Sequence, residues 1–195
     1  MTKIRTLDDL QQRLSEDLVW RKKELTIIKS LIPGRSSPKR STTETTNCYI
    51  RSGVALLYAH WEGFVKTSGN FYLEYIISQK LQYAELANNF VALVAKKFLN
   101  DLESADKVLA HMNVTEFFLV GLTNRCTYLS EIETRSNLSS GVLKEITHAL
   151  GLDYRAYEKS ANLIDETLLR NRNHIAHGNY LLVDADNFVE LHETI

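Results

Sequence analysis

Apolar residues recur along this chain at helical spacing almost from its start. In residues 6 to 32, Leu7, Leu10, Leu14, Leu18, Leu25, Ile28 and Leu31 or Ile32 form one stripe, which predicts a helix. Thr6 followed by Asp8 and Asp9 suits its first turn, where carboxylates favour the helix dipole. The stretch "PGRSSPKRS", residues 33 to 41, breaks the pattern and reads as a flexible basic loop carrying Arg35, Lys39 and Arg40. Ser41 and Glu44 have capping-box spacing, and the helix they open runs to about Gln79. Its apolar face is Ile50, Val54, Leu57, Trp61, Phe64, Phe71 and Tyr75; a polar line beside it holds Arg51, Tyr58, Glu62 and Lys66. Gly53, Gly63 and Gly69 weaken that helix intrinsically, so close packing is expected where they lie.

Residues 81 to 135 read as several shorter helices. "YAELANNFVALVAKKFLNDL" is the clearest; "MNVTEFFLVGLTNRC" is ambiguous between helix and strand and is taken as helix from its neighbours. "NLSSGVLKEITHALGLD" predicts a short helix with a serine cap, stopped at Gly151. Asp153 to His177 predicts the next long helix, with Tyr157, Leu163 or Ile164, Leu168 and Ile175 inward and Gly178 just past its end. A last helix begins near Asp186, and its pattern runs on without a stop signal, which predicts a truncated or frayed end. The expectation is one all-α domain over residues 1–195, an up-and-down bundle with accessory helices.

Composition narrows the function classes. Hydrophobic residues at 44% suffice for a core, and eight glycines with two prolines are few for a long β-protein. A net charge of −1 argues against a general nucleic-acid coat, so any such partner must meet a local patch. Cys48 and Cys126 have no metal spacing and are expected to be small buried residues, in keeping with a reducing cytoplasm. The start turns acidic before any apolar run, unlike a signal peptide, and no run is long enough to span a membrane. Glycine-rich phosphate loops are missing from the sequence, so no nucleotide cofactor is called for.

The chemistry gathers in "LLRNRNHIAHGNYLL", residues 168 to 182. Positions four apart share a helix face, so Asn173 neighbours His177 and Arg170 neighbours His174. Arg172 is long enough to swing toward the same place. A histidine in a last turn can serve only to cap carbonyls. Equally, arginine matches phosphate oxygens and histidine exchanges protons near neutrality. That pair suits phosphodiester transfer in RNA, where the 2′-hydroxyl needs a base, the leaving 5′-oxygen an acid, and the phosphorane a cation. One chain supplies one suitable histidine; a symmetric dimer supplies two. His174 and His177 lack an evident third ligand, so no metal site is expected.

"RNHIAH", Arg172 to His177, is the arginine–polar–three residues–histidine motif of the HEPN superfamily. "DLVWRKKELTIIKSLI", "LLYAHWEGFVK" and "LRNRNHIAHGNY" together resemble HEPN-like nucleases of the MAE type. The resemblance implies a helical homodimer whose motif helices share a cleft, acting as a metal-independent endoribonuclease in toxin–antitoxin or phage-defence systems. It also implies an RNA substrate and an antitoxin or a ParB-like nuclease of the DUF262 type as partner; the near-neutral charge suits a short contact with a structured loop such as that of a tRNA. Inactive members bind RNA or nucleotides as regulatory modules. On this reading His177 is acid or base, Arg172 holds the phosphate, and Asn173 orients His177 or the ribose. Glu62 and His174 are supporting candidates, and Arg35, Lys39, Arg40, Arg51 and Arg170 are candidate RNA contacts. Trp61 is expected in the core, and His60, His111, His148 and His192 at surface or packing positions.

Overall fold

Thr6 and Asp9 start the first helix by a reciprocal exchange. The Asp9 amide donates to Thr6 Oγ1 at 3.1 Å, while the Asp9 carboxylate accepts from the amides of Arg5 and Thr6 at 3.0 and 2.9 Å. These bonds hold the Asp9 carboxyl below its ordinary pKa. Helix α1 spans Leu7–Ser30 and α2 spans Glu44–Ser78. After them come α3 (Asn88–Ser104), α4 (Lys107–Leu119) and α5 (Ser140–Ala149). A π-helix, Leu163–Leu169, then feeds directly into α6 (Arg170–Ala176), and α7 (Ala185–Thr194) closes the order. The computed structural model describes residues 3–32, 44–104 and 107–194. Among them the fold is all-α, with no strand and a single antiparallel bridge between Gln82 and Arg125. No helix among them is long and apolar enough to cross a membrane.

The chain divides into two compact units. The first comprises residues 1–13, 68–133 and 144–154. Its buried residues include Leu73, Phe90, Val94, Phe117 and Ile146. Asn70 behaves there as a backbone mimic: its Oδ1 accepts from the Ile132 amide at 2.8 Å and its Nδ2 donates to the Ile132 carbonyl at 3.4 Å. A Cβ on neighbouring Gly69 would lie 3.0 Å from the Ile132 side chain, so the glycine admits this close strap. Helix α4 is apolar on two sides: Ala110 and Phe117 are buried, while Val108, Met112 and Leu119 are exposed.

The second unit comprises residues 14–67, 134–143 and 155–195 and carries the 168–182 stretch. Its core joins Ile50 and Val54 of α2 to Ile32, Val183 and the fully buried Phe188 of α7, with Ile175 of α6 packed against them. Gly53 is what lets the Phe188 ring reach α2, since a Cβ there would stand 2.7 Å from it. Gly63 does the same for Arg21, which bonds to Asp17 at 2.7 Å and to the His60 carbonyl at 3.3 Å.

Several expectations change. Leu7 and Leu31 are exposed, and Ile32 takes the buried place at the end of the first stripe. Cys126 is buried, but Cys48 is exposed, because it lies on the outer side of the first turns of α2. Tyr58, read as part of a polar line, is 2% exposed. The "MNVTEFFLVGLTNRC" helix stops at Leu119 and tightens into a 3₁₀ turn, Gly121–Thr123. The long helix expected from Asp153 is broken at its start into 3₁₀ turns Tyr154–Ala156 and Glu158–Ser160, and Tyr157 between them faces out at 44% exposure. The 33–41 loop and the Ser41 cap lie outside the described residues. The serine cap and both glycine stops are present. Ser139 Oγ accepts from the Val142 amide at 3.2 Å, and Gly151 and Gly178 adopt φ of 71° and 76°.

Three measurements check this structure. Gly178→Ala meets no atom within 4 Å and should cost about 1 kcal/mol of unfolding free energy, from its left-handed φ alone. Gly53→Ala should cost about 1–3 kcal/mol by overpacking, and adding Phe188→Leu should make the two changes less than additive in urea unfolding. The His192 ring nitrogens are sealed from solvent. Burial, then the charge of Lys29, lowers the His192 pKa from 6.5, against smaller opposing effects of the Leu25 backbone and Glu193. The unfolded chain therefore takes up a proton near pH 6.5 that the folded chain refuses, so this contribution is full above that pH and lost as pH falls. Thermal melts between pH 7.5 and 5.5 (about one unit either side of the ordinary value) should fall less steeply for His192→Leu than for wild type.

Candidate functional site

The segment before α6 sets the direction of every side chain in the motif. In the π-helix the Arg170 amide donates to the Asp165 carbonyl five residues back, which widens the turn. Ile164, Leu168 and Leu169 bury its inner side. Asp165 is tied in turn to the start of α5: its Oδ1 accepts from the Ser140 amide at 2.7 Å and its Oδ2 from the Ser140 hydroxyl. Asp165 thus fixes the π segment, and the π segment fixes where α6 begins.

At the other end α6 stops in a complete Schellman arrangement. The Asn179 amide donates to the His174 carbonyl at 3.0 Å and the Gly178 amide to the Ile175 carbonyl at 3.1 Å. His177 caps the helix just past Ala176, with its amide on the Asn173 carbonyl at 3.0 Å. The chain turns away at Gly178, which leaves the imidazole exposed and without a hydrogen-bond or ion-pair partner among the described residues.

Arg172 points the other way, onto α2. Its guanidinium carbon lies 3.9 Å from the centre of the Tyr58 ring, a cation–π stack. Nη1 donates to Asn173 Oδ1 at 2.8 Å and Nη2 to the Ser136 carbonyl at 2.9 Å. Glu62 Oε2 stands 3.9 Å from Nη2, a loose ion pair, and its other oxygen is buried with no hydrogen bond. Arginine carries five N–H donors; the protein engages Nη1 and Nη2, and the side chain remains 21% exposed. The result is a cation held in a fixed plane with donor capacity left over.

Tyr58 holds its own position through its hydroxyl, which accepts from the Leu138 amide at 2.6 Å. Its pKa is raised, by burial first and then by the charge of Glu62, against the opposing Leu138 amide and Arg172. It therefore stays a neutral phenol under Arg172. Ser136 is positioned by strain: Arg135 and Ser136 have φ of 56° and 54°, consecutive left-handed residues without glycine. Each costs roughly 1–2 kcal/mol, and the conformation aims the Ser136 carbonyl at Arg172.

Arg172, Asn173 and Glu62 thus come together, and Asn173 alone links them to His177, one turn on. His174 is exposed, and Arg170 pairs with Glu166 at 3.4 Å rather than with His174. Arg51 lies in a different place, its Nη2 donating to the Asn179 carbonyl at 3.2 Å. Arg35, Lys39 and Arg40 lie outside the described residues. No group of three His, Cys, Asp or Glu residues among the described ones is disposed to hold a metal ion. The Tyr58 stack and the Ser136 carbonyl escaped the sequence reading. Tyr58 carried a usable signal, standing one turn before Glu62 on the same helix face; a loop carbonyl carried none.

The chain matches the family described as MAE_28990-like HEPN over residues 10–195. No match was found among curated proteins or among solved structures.

Tyr58→Phe keeps the ring but removes the acceptor of the Leu138 amide. It should cost about 1–3 kcal/mol in urea unfolding, the worth of a buried donor left unpaired, whereas exposed His177→Ala should stay within about 0.5 kcal/mol of wild type.

Proposed function

Because the chain belongs to the MAE_28990-like HEPN family, whose domains commonly act as RNases or bind nucleotides, we propose that it is a metal-independent endoribonuclease. It cleaves RNA at a composite site formed by two Arg172–Asn173–His177 motifs across a homodimer, as part of a defence or toxin–antitoxin system. One observation carries this reading: a guanidinium fixed on Tyr58 with donors to spare, five residues before an imidazole left uncommitted at the helix end. The first group is suited to hold a phosphate, the second to move a proton.

In the reaction, His177 of one copy takes the proton from the 2′-hydroxyl, and the 2′-oxygen attacks phosphorus. His177 of the other copy gives a proton to the departing 5′-oxygen. Arg172 stabilises the charge that grows on the phosphorane oxygens. Asn173, whose side-chain Oδ1 accepts from Arg172, keeps its Nδ2 hydrogens for His177 or a ribose. Glu62 keeps the guanidinium in plane at the distance of a loose pair, which weakens its charge less than a tight one would. The products are a 2′,3′-cyclic phosphate and a free 5′-hydroxyl. The near-neutral chain suits a short contact with a structured RNA such as a tRNA loop. An antitoxin or a ParB-like nuclease partner fits the same setting.

The second reading is a non-catalytic RNA- or nucleotide-binding dimerisation module. It is favoured by one observation, that nothing among the described residues orients the His177 ring as a third group orients an activated base. With chelator present, wild type should cleave single-stranded RNA. His177→Ala and Arg172→Ala should each reduce the rate by about 10²–10⁴, with 2′,3′-cyclic ends lost in parallel. RNA bound without cleavage by wild type and His177→Ala alike would favour the module; equal cleavage by both variants would remove this site from the reaction.

A further inference from the structure

Three residues beyond His177 the chain carries an aromatic ring that the core does not use. Tyr180 is 73% exposed. It is nevertheless held, because the Arg51 guanidinium carbon lies 5.6 Å from its ring centre. Arg51 is fixed in turn by its bond to the Asn179 carbonyl at 3.2 Å, the backbone next to Tyr180. The Arg51 Nε is sealed from solvent and has no hydrogen bond, so the side chain tolerates an unpaired donor in this pose. Beside the pair opens a cleft of about 530 Å³, lined by Glu44, Asn47, Arg51 and Ser52 of α2 and by Ile175 and Tyr180. It has an aromatic wall, one arginine, one carboxylate from Glu44, and two small polar side chains.

Resting on the nuclease reading above, the geometry points to this cleft as the seat of the nucleotide next to the scissile phosphate, with its base stacked on Tyr180. Three residues of chain span at most about 10 Å, so a strand whose phosphate rests near His177 brings its neighbouring base within reach of the ring. Base–aromatic stacking needs no particular hydrogen-bond pattern. The cation near the ring adds attraction for an adjacent phosphate, and Asn47 and Ser52 offer donors and acceptors to a base edge. The site takes an unpaired nucleotide, because a base already stacked in a duplex has no free face to offer. It prefers purines, whose π-face is larger.

The test uses the intact chain and a single-stranded RNA decamer made uncleavable by 2′-O-methyl riboses, with one abasic residue walked along it. Binding is read by fluorescence anisotropy. One abasic position should weaken wild-type binding roughly ten- to hundredfold, the worth of one stacked base. Tyr180→Leu should weaken the intact decamer to the same degree and become indifferent to that abasic position. Tyr180→Phe should bind as wild type, and Arg51→Gln should flatten the salt dependence. An abasic penalty that persists in Tyr180→Leu, the lack of any sensitive position, or equal losses in the Phe and Leu variants would overturn the assignment. Thermal melts guard against misfolding of Tyr180→Leu. Abasic coupling without cleavage of ordinary RNA would sink the nuclease reading and leave the subsite standing. Cleavage with no coupling would do the reverse.

Discussion

The guanidinium of Arg172 sits over the Tyr58 ring, its carbon 3.9 Å from the ring centre, and groups of the second unit hold it there. A cation on an aromatic face gains attraction only while both planes are held. Each plane is held by backbone: the Leu138 amide fixes the Tyr58 hydroxyl, and the Ser136 carbonyl fixes one arm of Arg172. Both groups come from one short stretch between Arg135 and Ser140, anchored by its serine to Asp165. The strained residues at Arg135 and Ser136 make sense in this light, since a relaxed turn would point the carbonyl elsewhere.

The same constraint separates the two charged members of the motif. Arg172 is drawn inward to α2, while His177 is released at a helix end stopped by Gly178. The roles proposed for them rest on this difference. A group that stabilises charge works best when it cannot relax, because preorganised dipoles and cations need no reorganisation during reaction. A group that exchanges protons must instead meet its substrate, and exposure serves that.

Much of this was legible in the letters. Gly151 and Gly178 marked helix ends because only glycine enters left-handed φ without cost, and the structure shows them there. Gly53, Gly63 and Gly69 announced close approaches, though not what approaches, since Phe188, Arg21 and Ile132 are remote in sequence. The helix end carrying Arg172, Asn173 and His177 followed from periodicity, and the family from the motif with its flanking segments. What was hidden belongs to tertiary pairing or to backbone bonds. Periodicity placed Tyr58 on a polar line, but its buried ring faces an arginine, a preference no hydropathy pattern encodes. Periodicity points Tyr157 inward only in an unbroken α-helix, and the 3₁₀ turns around it break that period. A carbonyl such as that of Ser136 has no residue identity to read.

The wide turn from Leu163 to Leu169 adds a condition on what the motif means. Its register, more than its letters, decides which way position 172 looks: an ordinary helical turn of the same length would rotate the arginine off its aromatic seat. Insertions and deletions in that short segment therefore act like substitutions of the arginine itself. In any chain that keeps every motif letter, the count of residues between the buried isoleucine at 164 and the arginine at 172 becomes a marker of whether that arginine reaches its seat. A chain one residue short would keep the signature and lose the seat.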